Sequence, residues 1–291
     1  LFMHENNASH TQKIGLSFES TDKLRMSWYD GSNEYNLDST MLFRDISGWY
    51  HIVFRLDTTQ STASNRVRIY VNGELIALEA IGGGSPTPQY PGQNATMNLG
   101  QKILLLGSYS APGSYFNGIL SHYYYADGQS YDASTFGSTN SATGEWKITT
   151  SPSVTYGNNG FFILKDGNSI TDQSGEGNNF TLGGGTLTNT EDCPSDVFCT
   201  MNPLDNYYTG STFSNGNTTT SNTGSNETFN ASTLGSSKGK YYVECKPTTL
   251  SAYTLLGIVS VPSTSTNDQG PGKAANAYGY DSSNGQYRTG D

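Results

Sequence analysis

The acidic residues come first, because cleavage of a glycosidic bond uses two carboxyl groups. Retaining enzymes hold these groups about 5–5.5 Å apart, and an E-x-D-x-E pattern along one strand would cluster them. That pattern does not occur in this sequence. The segment EYNLD places Glu34 and Asp38 on one face of a predicted strand, where two solvated surface acids are the better interpretation. The carboxylates therefore do not predict a hydrolase.

A G-x-S-x-G motif occupies residues 235–239. In a hydrolase this motif is a turn with a strand before it and a helix after it, so that the serine is exposed as a nucleophile. Here KYYVEC follows, and its pattern is typical of a strand. A loop between strands explains the motif better, and we expect no enzymatic activity.

The cysteines and histidines give no metal site. The four histidines lack the spacing of zinc ligands, and no C-x-x-C pair occurs. The three cysteines are Cys193, Cys199 and Cys245, an odd number that argues against a disulfide framework. Cys193 and Cys199 could bridge a short loop. Three thiols without a disulfide, with Cys245 inside a strand, are the favoured alternative.

Tyrosine is the remaining lead, with 20 residues in the chain. Sugars bind with their flat apolar faces stacked on aromatic rings. In SHYYYADG, Tyr123 and Tyr125 share one face of a predicted strand and suit a core, which leaves Tyr124 outward. Tyr124, Tyr207 and Tyr208 are therefore the candidate carbohydrate-binding residues. Core packing, or burial in a subunit contact, is the favoured alternative for any one tyrosine.

Composition excludes several classes of protein. The 291 residues carry a net charge of −10, which disfavours nucleic acid because phosphates need cationic partners. No run approaches the roughly 20 apolar residues of a membrane span, so no membrane insertion is expected. The opening LFMHENNASH has no basic segment followed by an apolar core, as a signal peptide would. We expect the chain to begin inside a longer polypeptide.

The segment NRVRIYVNGELIALE, residues 65–79, is the clearest structural signal. Two alternating apolar runs meet at Asn72-Gly73, a pair that suits the positive φ angles of a type I′ turn. The turn fixes the register of the two strands. The cross-strand pairs that it predicts are Val71–Glu74, Ile69–Ile76, Val67–Leu78, Arg68–Ala77 and Arg66–Glu79.

Similar short runs recur along the chain and predict an all-β fold. KIGLSFES, KLRMSWYD and EYNLDSTML are successive predicted strands, and GWYHIVFRLD, KILLLGSY and GILSHYYYADG follow. These strands favour an antiparallel two-sheet β-sandwich over residues 1–147. Residues 148–205 read as a turn-rich connector with short strands such as NGFFILKD. Residues 206–291 predict a second, incomplete β-sandwich whose best strands are GKYYVECKP and YTLLGIVSV.

The segments GWYHIVFRLDTTQSTASNRVRIYVNGELI and YFNGILSHYYYADGQSYDASTFG resemble the concanavalin A-like, laminin-G-type jelly roll. With TGEWK, YGNNGFFILKD and DQSGEGNNFTL they resemble virion proteins of tailed phages, especially marine ones. The run from TFSNGNTT to AYGYDSSNGQY is similar to the opening of a SPRY-type sandwich. The resemblance implies a jelly roll over residues 1–147 without its first strands, and a SPRY-like domain over 206–291 without its later ones.

This resemblance implies a non-enzymatic structural protein on the surface of a phage particle. The protein would be a fibre or appendage that displays β-sandwiches for attachment to host surface glycan or protein. Its partners would be other virion proteins and copies of itself, a trimer being one option. A capsid decoration protein without a receptor role and a secreted bacterial carbohydrate-binding adhesin are the alternatives, and a polysaccharide hydrolase is a weaker one.

Laminin-G-like domains often hold calcium through loop oxygens, so the resemblance also allows this ion. YDGSNE around Asp30 and RLDTT around Asp57 could offer oxygens, but neither matches a calcium-loop signature. An ordinary turn aspartate that accepts hydrogen bonds from its own backbone explains each better. No cofactor is predicted, and no calcium ligand is assigned.

Overall fold

The computed structural model describes residues 1–5, 13–29, 34–45, 48–81, 87–96, 103–110, 113–165, 169–190, 193–194, 199–207, 210–222, 228–249, 254–260, 271–272 and 275–290. The chain divides into two compact units, Leu1–Val197 and Phe198–Asp291. With 38% strand, 3% helix and antiparallel sheets, the predicted all-β fold is confirmed. None of the helices in the described ranges is long and apolar enough to cross a membrane.

The first unit contains fifteen strands among its described residues and two short 3₁₀ turns, Ala63–Asn65 and Ala133–Thr135. The strands are β1 Phe2–Glu5, β2 Lys13–Phe18, β3 Lys23–Tyr29, β4 Glu34–Leu42, β5 Ile52–Leu56, β6 Val67–Val71, β7 Glu74–Leu75, β8 Leu78–Ala80, β9 Ile103–Leu106, β10 Ser108–Ser110, β11 Gly113–Tyr115, β12 Tyr123–Tyr125, β13 Gly137–Thr139, β14 Trp146–Ile148 and β15 Phe161–Ile163.

Two antiparallel sheets form the sandwich of this unit. The large sheet has the order β8-β4-β3-β2-β1-β9, and the small sheet has the order β5-β6-β7. Alternate residues of each sheet point to a shared core because the side-chain period of a strand is two. The large sheet supplies Ile14, Leu16, Leu24, Met26, Trp28 and Leu37, and the small sheet supplies Val67, Ile69 and Val71.

The predicted hairpin is present, but its second strand changes sheets. Asn72 and Gly73 have φ angles of 49° and 87°, Val71 pairs with Glu74, and the Ile76 N–H donates to Ile69 O at 3.0 Å. The predicted pairs beyond Ile76, namely Val67–Leu78, Arg68–Ala77 and Arg66–Glu79, are wrong, because the chain leaves the small sheet after Ile76. In β8, Leu78, Glu79 and Ala80 pair with Ser39, Asp38 and Leu37 of β4 in the large sheet. The chain therefore links the two sheets at this corner.

The opposite face of the small sheet is also covered. Val53, Tyr70, Ala133 and Phe136 form a second buried cluster, against which Tyr124, Tyr131, Trp146 and Val154 pack. The Asp132 carboxylate accepts hydrogen bonds from Arg55 Nη1 and from the Tyr70 hydroxyl, both at 2.7 Å. These contacts hold a third layer of chain on the sandwich.

Strand β15 lies within the predicted connector 148–205, yet it belongs to this packing. It pairs with β12 in an antiparallel manner, and Phe161, Phe162 and Ile163 are buried. The Asp172 carboxylate accepts hydrogen bonds from the backbone N–H groups of Phe162 and Asn178, both at 2.9 Å. The limits given for the three predicted domains stay predictions.

The second unit has smaller sheets. Its strands are β16 Met201–Tyr207, β17 Ser211–Ser214, β18 Thr219–Asn222, β19 Phe229–Ser232, β20 Leu255–Ile258, β21 Tyr278–Asp281 and β22 Gln286–Thr289. Strand β16 pairs with β19, β17 pairs with β18, and β20-β21-β22 form a three-stranded sheet.

One predicted strand of the second unit is wrong. Residues 240–247, KYYVECKP, have no strand pairing within the described residues. Tyr241, Tyr242 and Val243 are exposed, and Cys245 is exposed instead of lying in a strand interior. Alternation alone does not make a strand, because the backbone groups of a strand need a neighbouring strand as partner.

Candidate functional site: the polar face of the large sheet

The side of the large sheet that faces away from the core is lined with polar and charged side chains. Period-two alternation places them between the core residues of β2, β3, β4 and β8. We call this surface the polar face and define it by Lys13, Ser17, Arg25, Ser27, Tyr29, Glu34, Asn36, Asp38 and Glu79. Its longest row, Ser17–Arg25–Asp38–Glu79, runs straight across four neighbouring strands.

Asp38 is the centre of this row. Arg25 donates to it through Nε at 2.7 Å and Nη2 at 3.0 Å, a fork that matches the planar carboxylate. Asp38 is only 6% exposed, so its predicted position as a solvated surface acid is wrong. Sequence spacing could not reveal this burial, because Arg25 becomes its partner only through the pairing of β3 with β4.

The remaining acids of this region also have cationic partners. Glu34 is exposed, as predicted, and its Oε1 lies 2.9 Å from Lys13 Nζ. Glu19 Oε2 lies 3.1 Å from Arg25 Nη1, and Lys23 donates a hydrogen bond to Glu79. The hydrogen bond from Arg25 to Asp38 raises the pKa of Arg25 above its ordinary value. The carboxylates of the polar face thus all have cationic partners, and Arg25 serves both Glu19 and Asp38.

This geometry can be compared with that of a glycosidase. Glu34 and Asp38 are four residues apart on one strand, about 13 Å, which exceeds the 6.5–9.5 Å of inverting enzymes. Asp38 and Glu79 lie directly opposite each other on β4 and β8, where Cβ atoms are about 5 Å apart. Sequence spacing could not reveal this pair, because the two residues meet only through the crossing of β8 into the large sheet.

Asp38 and Glu79 are each engaged by a cation. Arg25 holds the Asp38 carboxylate in a bidentate fork, and Lys23 donates to Glu79. The arrangement orders these polar groups in fixed positions.

One acceptor on the polar face has no protein donor among the described residues. The Oδ1 atom of Asn36 is buried and accepts no hydrogen bond there. Asn36 lies opposite Ser27, which is also buried. A buried acceptor without a donor costs about 1–3 kcal/mol. A ligand hydroxyl or a water molecule would remove this cost.

The structure places Tyr124, a candidate from the sequence, in a packed cluster. Its ring stacks on Phe162 with centroids 4.1 Å apart and lies 5.8 Å from Phe136. Its hydroxyl donates to Thr150 O at 3.1 Å, and burial raises its pKa. Phe162 thus covers a ring face that a sugar would need. A carbohydrate-binding role for Tyr124 stays a prediction.

The other two candidates are in the second unit. Tyr207 is the last residue of β16 and pairs in register with Phe229, whereas Tyr208 lies outside the described residues. Their role in sugar binding stays a prediction.

The turn interpretation of Asp57 is confirmed. Its carboxylate accepts hydrogen bonds from the Thr59 N–H at 3.1 Å, the Thr59 hydroxyl at 2.6 Å and Gln60 Nε2 at 2.7 Å. These hydrogen bonds lower the pKa of Asp57, and the bond from the Thr59 hydroxyl has the largest effect. Asp30 lies outside the described residues. Within the part of the chain that the structure describes, no three His, Cys, Asp or Glu residues cluster as metal ligands would.

The cysteines are thiols, as the favoured interpretation predicts. Cys193 and Cys199, both in the described part of the chain, form no disulfide with each other. Cys245 is a thiol as well, and it is exposed.

Comparison with known proteins is informative for the first unit. Residues 1–127 match the Laminin_G_3 family model, whose description is Concanavalin A-like lectin/glucanases superfamily. No curated protein and no solved structure matches the chain. The matched residues include β1–β12, and so they contain both sheets of the sandwich and the whole polar face. Residues 1–127 therefore form a concanavalin A-like lectin/glucanase superfamily domain.

Proposed function

We propose that this protein is a non-enzymatic attachment module that binds carbohydrate through its polar face. The observation that carries the proposal is the buried, unsatisfied Oδ1 of Asn36 on that face. This atom is closed to solvent, so a sugar hydroxyl would donate to it only after neighbouring side chains move aside. The hydrogen bond would then recover the free energy that the orphan acceptor costs. The superfamily of residues 1–127 includes lectins, which supports this ligand class.

The charge pairs around Asn36 supply the rest of a polar binding surface. The carboxylates of Glu34 and Glu79 are partly exposed and can accept further hydrogen bonds. The Ser17 hydroxyl donates to Glu19 at 2.7 Å and can still accept. Because Arg25 and Lys23 fix the carboxylates, these groups lose little freedom when a ligand binds. A surface of fixed donors and acceptors can recognise the pattern of hydroxyl groups on a sugar.

The proposal includes no catalysis, because the carboxylates of Asp38 and Glu79 are already engaged by Arg25 and Lys23. We expect a bound glycan to remain intact.

The proposed setting is the surface of a tailed-phage particle, in a fibre or appendage. Its support is the ordered resemblance that runs from the jelly roll through TGEWK, YGNNGFFILKD and DQSGEGNNFTL. The partners would be other virion proteins, further copies of the chain and host surface glycan. Several copies on one particle would give avidity, so each contact could be weak. A capsid decoration protein and a bacterial adhesin are the alternative settings.

A glycan array with the purified 291-residue chain tests the binding step. The strongest glycan is then titrated against the unmodified chain, Asn36→Ala and the control Ser138→Ala, whose side chain is exposed on β13. Loss of one hydrogen bond predicts about tenfold weaker binding for Asn36→Ala. Unchanged stability, or a small gain, is expected because the variant removes an unsatisfied polar group. Equal affinity of all three proteins would contradict the proposal.

Two further measurements test the other parts of the proposal. Incubation of the chain with its strongest glycan should release no new reducing ends, and release that Asp38→Asn abolishes would show a hydrolase. Electron microscopy of intact particles with a labelled antibody against the chain should place it on an external appendage. Labelling of the capsid shell alone would favour the decoration protein.

A further inference from the structure

The three-stranded sheet of the second unit has one face rich in exposed tyrosine. Register places Leu256, Tyr280 and Tyr287 in one cross-strand row and Ile258, Tyr278 and Thr289 in the next row on the same face. We call these six residues the tyrosine face. From its geometry we infer a second carbohydrate-binding surface, whose ligand is a neutral oligosaccharide.

The rings of this face are open to solvent. Tyr278, Tyr280 and Tyr287 are 57%, 44% and 87% exposed, whereas the alternate residues of β21, Gly279 and Asp281, are buried. The rings of Tyr280 and Tyr287 have centroids 6.0 Å apart and an interplanar angle of 69°. The two rings therefore form an angled pair that can receive a flat ligand, in contrast to the stacked rings of Tyr124 and Phe162.

The opposite side of the sheet holds these rings in place. Asp281 is 1% exposed and accepts hydrogen bonds from the Ser283 N–H at 2.8 Å and hydroxyl at 2.6 Å. Its other oxygen accepts from Arg288 of the neighbouring strand. A Cβ atom on Gly279 would lie 2.4 Å from Pro271 O. The backbone at Pro271 therefore packs directly on the sheet. A surface fixed in this way loses little entropy on binding.

The chemistry of the tyrosine face favours an uncharged ligand with both apolar and hydroxyl groups. None of its six residues is charged, because Asp281 and Arg288 point to the other side. Tyrosine combines an apolar ring with a hydroxyl at its edge. A pyranose sugar has the matching form, with C–H groups on its flat face and hydroxyls around its rim.

The size of the face argues for a small ligand. Three strands of four residues span about 14 Å by 13 Å, or about 180 Å². A stable protein–protein interface buries about 800 Å² on each partner. A few sugar rings would cover the tyrosine face, whereas a folded protein would need several times its area. The ligand class in this inference rests on the proposed function. The choice of residues does not, because it comes from the register and exposure of β20, β21 and β22.

The test uses the complete 291-residue chain and four neutral hexasaccharides: β-1,4-glucan, β-1,3-glucan, α-1,4-glucan and α-mannan. Binding is measured by titration calorimetry for the unmodified chain, Tyr287→Ala, Tyr287→Phe and the control Tyr115→Ala, an exposed tyrosine of the first unit. At least one hexasaccharide should bind about tenfold more weakly to Tyr287→Ala. Tyr287→Phe should retain most of the affinity because the ring remains, and Tyr115→Ala should bind normally.

Three outcomes would overturn the inference. The first is that none of the four hexasaccharides binds, and the second is that Tyr287→Ala binds as tightly as the unmodified chain. If binding is then lost only in Asn36→Ala, the proposed function stands and the tyrosine face has no part in it. The third is concentration-dependent association of the chain that Tyr287→Ala abolishes in sedimentation measurements, which would assign the face to contacts between copies.

Discussion

The two units of this chain use tyrosine in opposite ways. In the first unit, Tyr70 and Tyr124 pack into the cluster that covers the small sheet. In the second unit, Tyr278, Tyr280 and Tyr287 stand exposed on a sheet that is held from its other side. Residues that pack contribute to stability, whereas exposed rings contribute little to it and remain available for ligands. Exposed tyrosines that share one sheet face, rather than the number of tyrosines, therefore mark the proposed second binding surface.

The difference follows from how much apolar surface each unit encloses. The first unit encloses a cluster built from both sheets, with Leu24, Leu37 and Ile69 fully buried. Among the described residues of the second unit, Ala277 is the only buried hydrophobic residue. The first unit therefore owes its stability to burial.

Acidification should have the largest effect, and it should act on the first unit through His51. The Nδ1 atom of His51 accepts a hydrogen bond from Trp146 Nε1 at 2.9 Å. Burial and the nearby His122 lower the pKa of His51 from 6.5 to about 4. The unfolded chain then takes up a proton at a higher pH than the folded chain. The free energy of unfolding should thus fall by roughly 3 kcal/mol as the pH drops from about 6.5 to 4.

Urea denaturation followed by tryptophan fluorescence at pH 7, 5.5 and 4.5 measures this effect. All three tryptophans, Trp28, Trp49 and Trp146, lie in the first unit and report on it alone. The control is His51→Gln, which keeps an acceptor for Trp146 and does not titrate. An identical loss of stability in both proteins would assign the pH dependence to the carboxylates.

Loss of the central charge of the polar face should have the next largest effect. Asp38→Asn leaves the partly buried Arg25 without its bidentate partner, so we expect a loss of about 2 kcal/mol in the free energy of unfolding. Glu34→Gln removes the exposed partner of Lys13 and should cost less than about 1 kcal/mol. Denaturant titration at pH 7 compares the two variants. Equal costs would show that burial does not distinguish these pairs.

A direct comparison of tyrosines should give the smallest effect. Tyr124→Ala removes a ring that stacks on Phe162 and should lower the free energy of unfolding by about 1.5 kcal/mol. Tyr287→Ala should change it by less than about 0.5 kcal/mol, because the side chain is exposed. Differential scanning calorimetry reports on both units. A large destabilisation by Tyr287→Ala would mean that the tyrosine face supports the fold.

Local patterns in the sequence predict the strands of the large sheet and the turn of the hairpin well. Strands β2, β3 and β4 lie within the three predicted segments, and Asn72-Gly73 adopts the positive φ angles expected. These features depend on residues close together in the chain, so spacing and turn chemistry are sufficient to locate them.

Features that depend on distant strands could not be predicted in this way. Leu78 and Glu79 continue the alternation of the hairpin, yet they pair with β4, where Leu78 is partly buried against the core. The same crossing creates the Asp38–Glu79 pair and the burial of Asp38. Residues 240–247 show the converse case, since a strand-like pattern lacks a pairing partner among the described residues.

The stretch of chain from Asn72 to Ala80 has a consequence for protein engineering. One short run takes part in both sheets, so inserting a single residue between Leu75 and Leu78 would either turn Leu78 outward or shift the turn at Gly73. The turn has little room to shift, because a Cβ atom on Gly73 would lie 2.3 Å from the Trp146 ring. Grafted peptides should therefore avoid this corner. The exposed turn at residues 140–145 between β13 and β14, closed by a 2.8 Å hydrogen bond from the Asn140 N–H to Glu145 O, offers a safer insertion point.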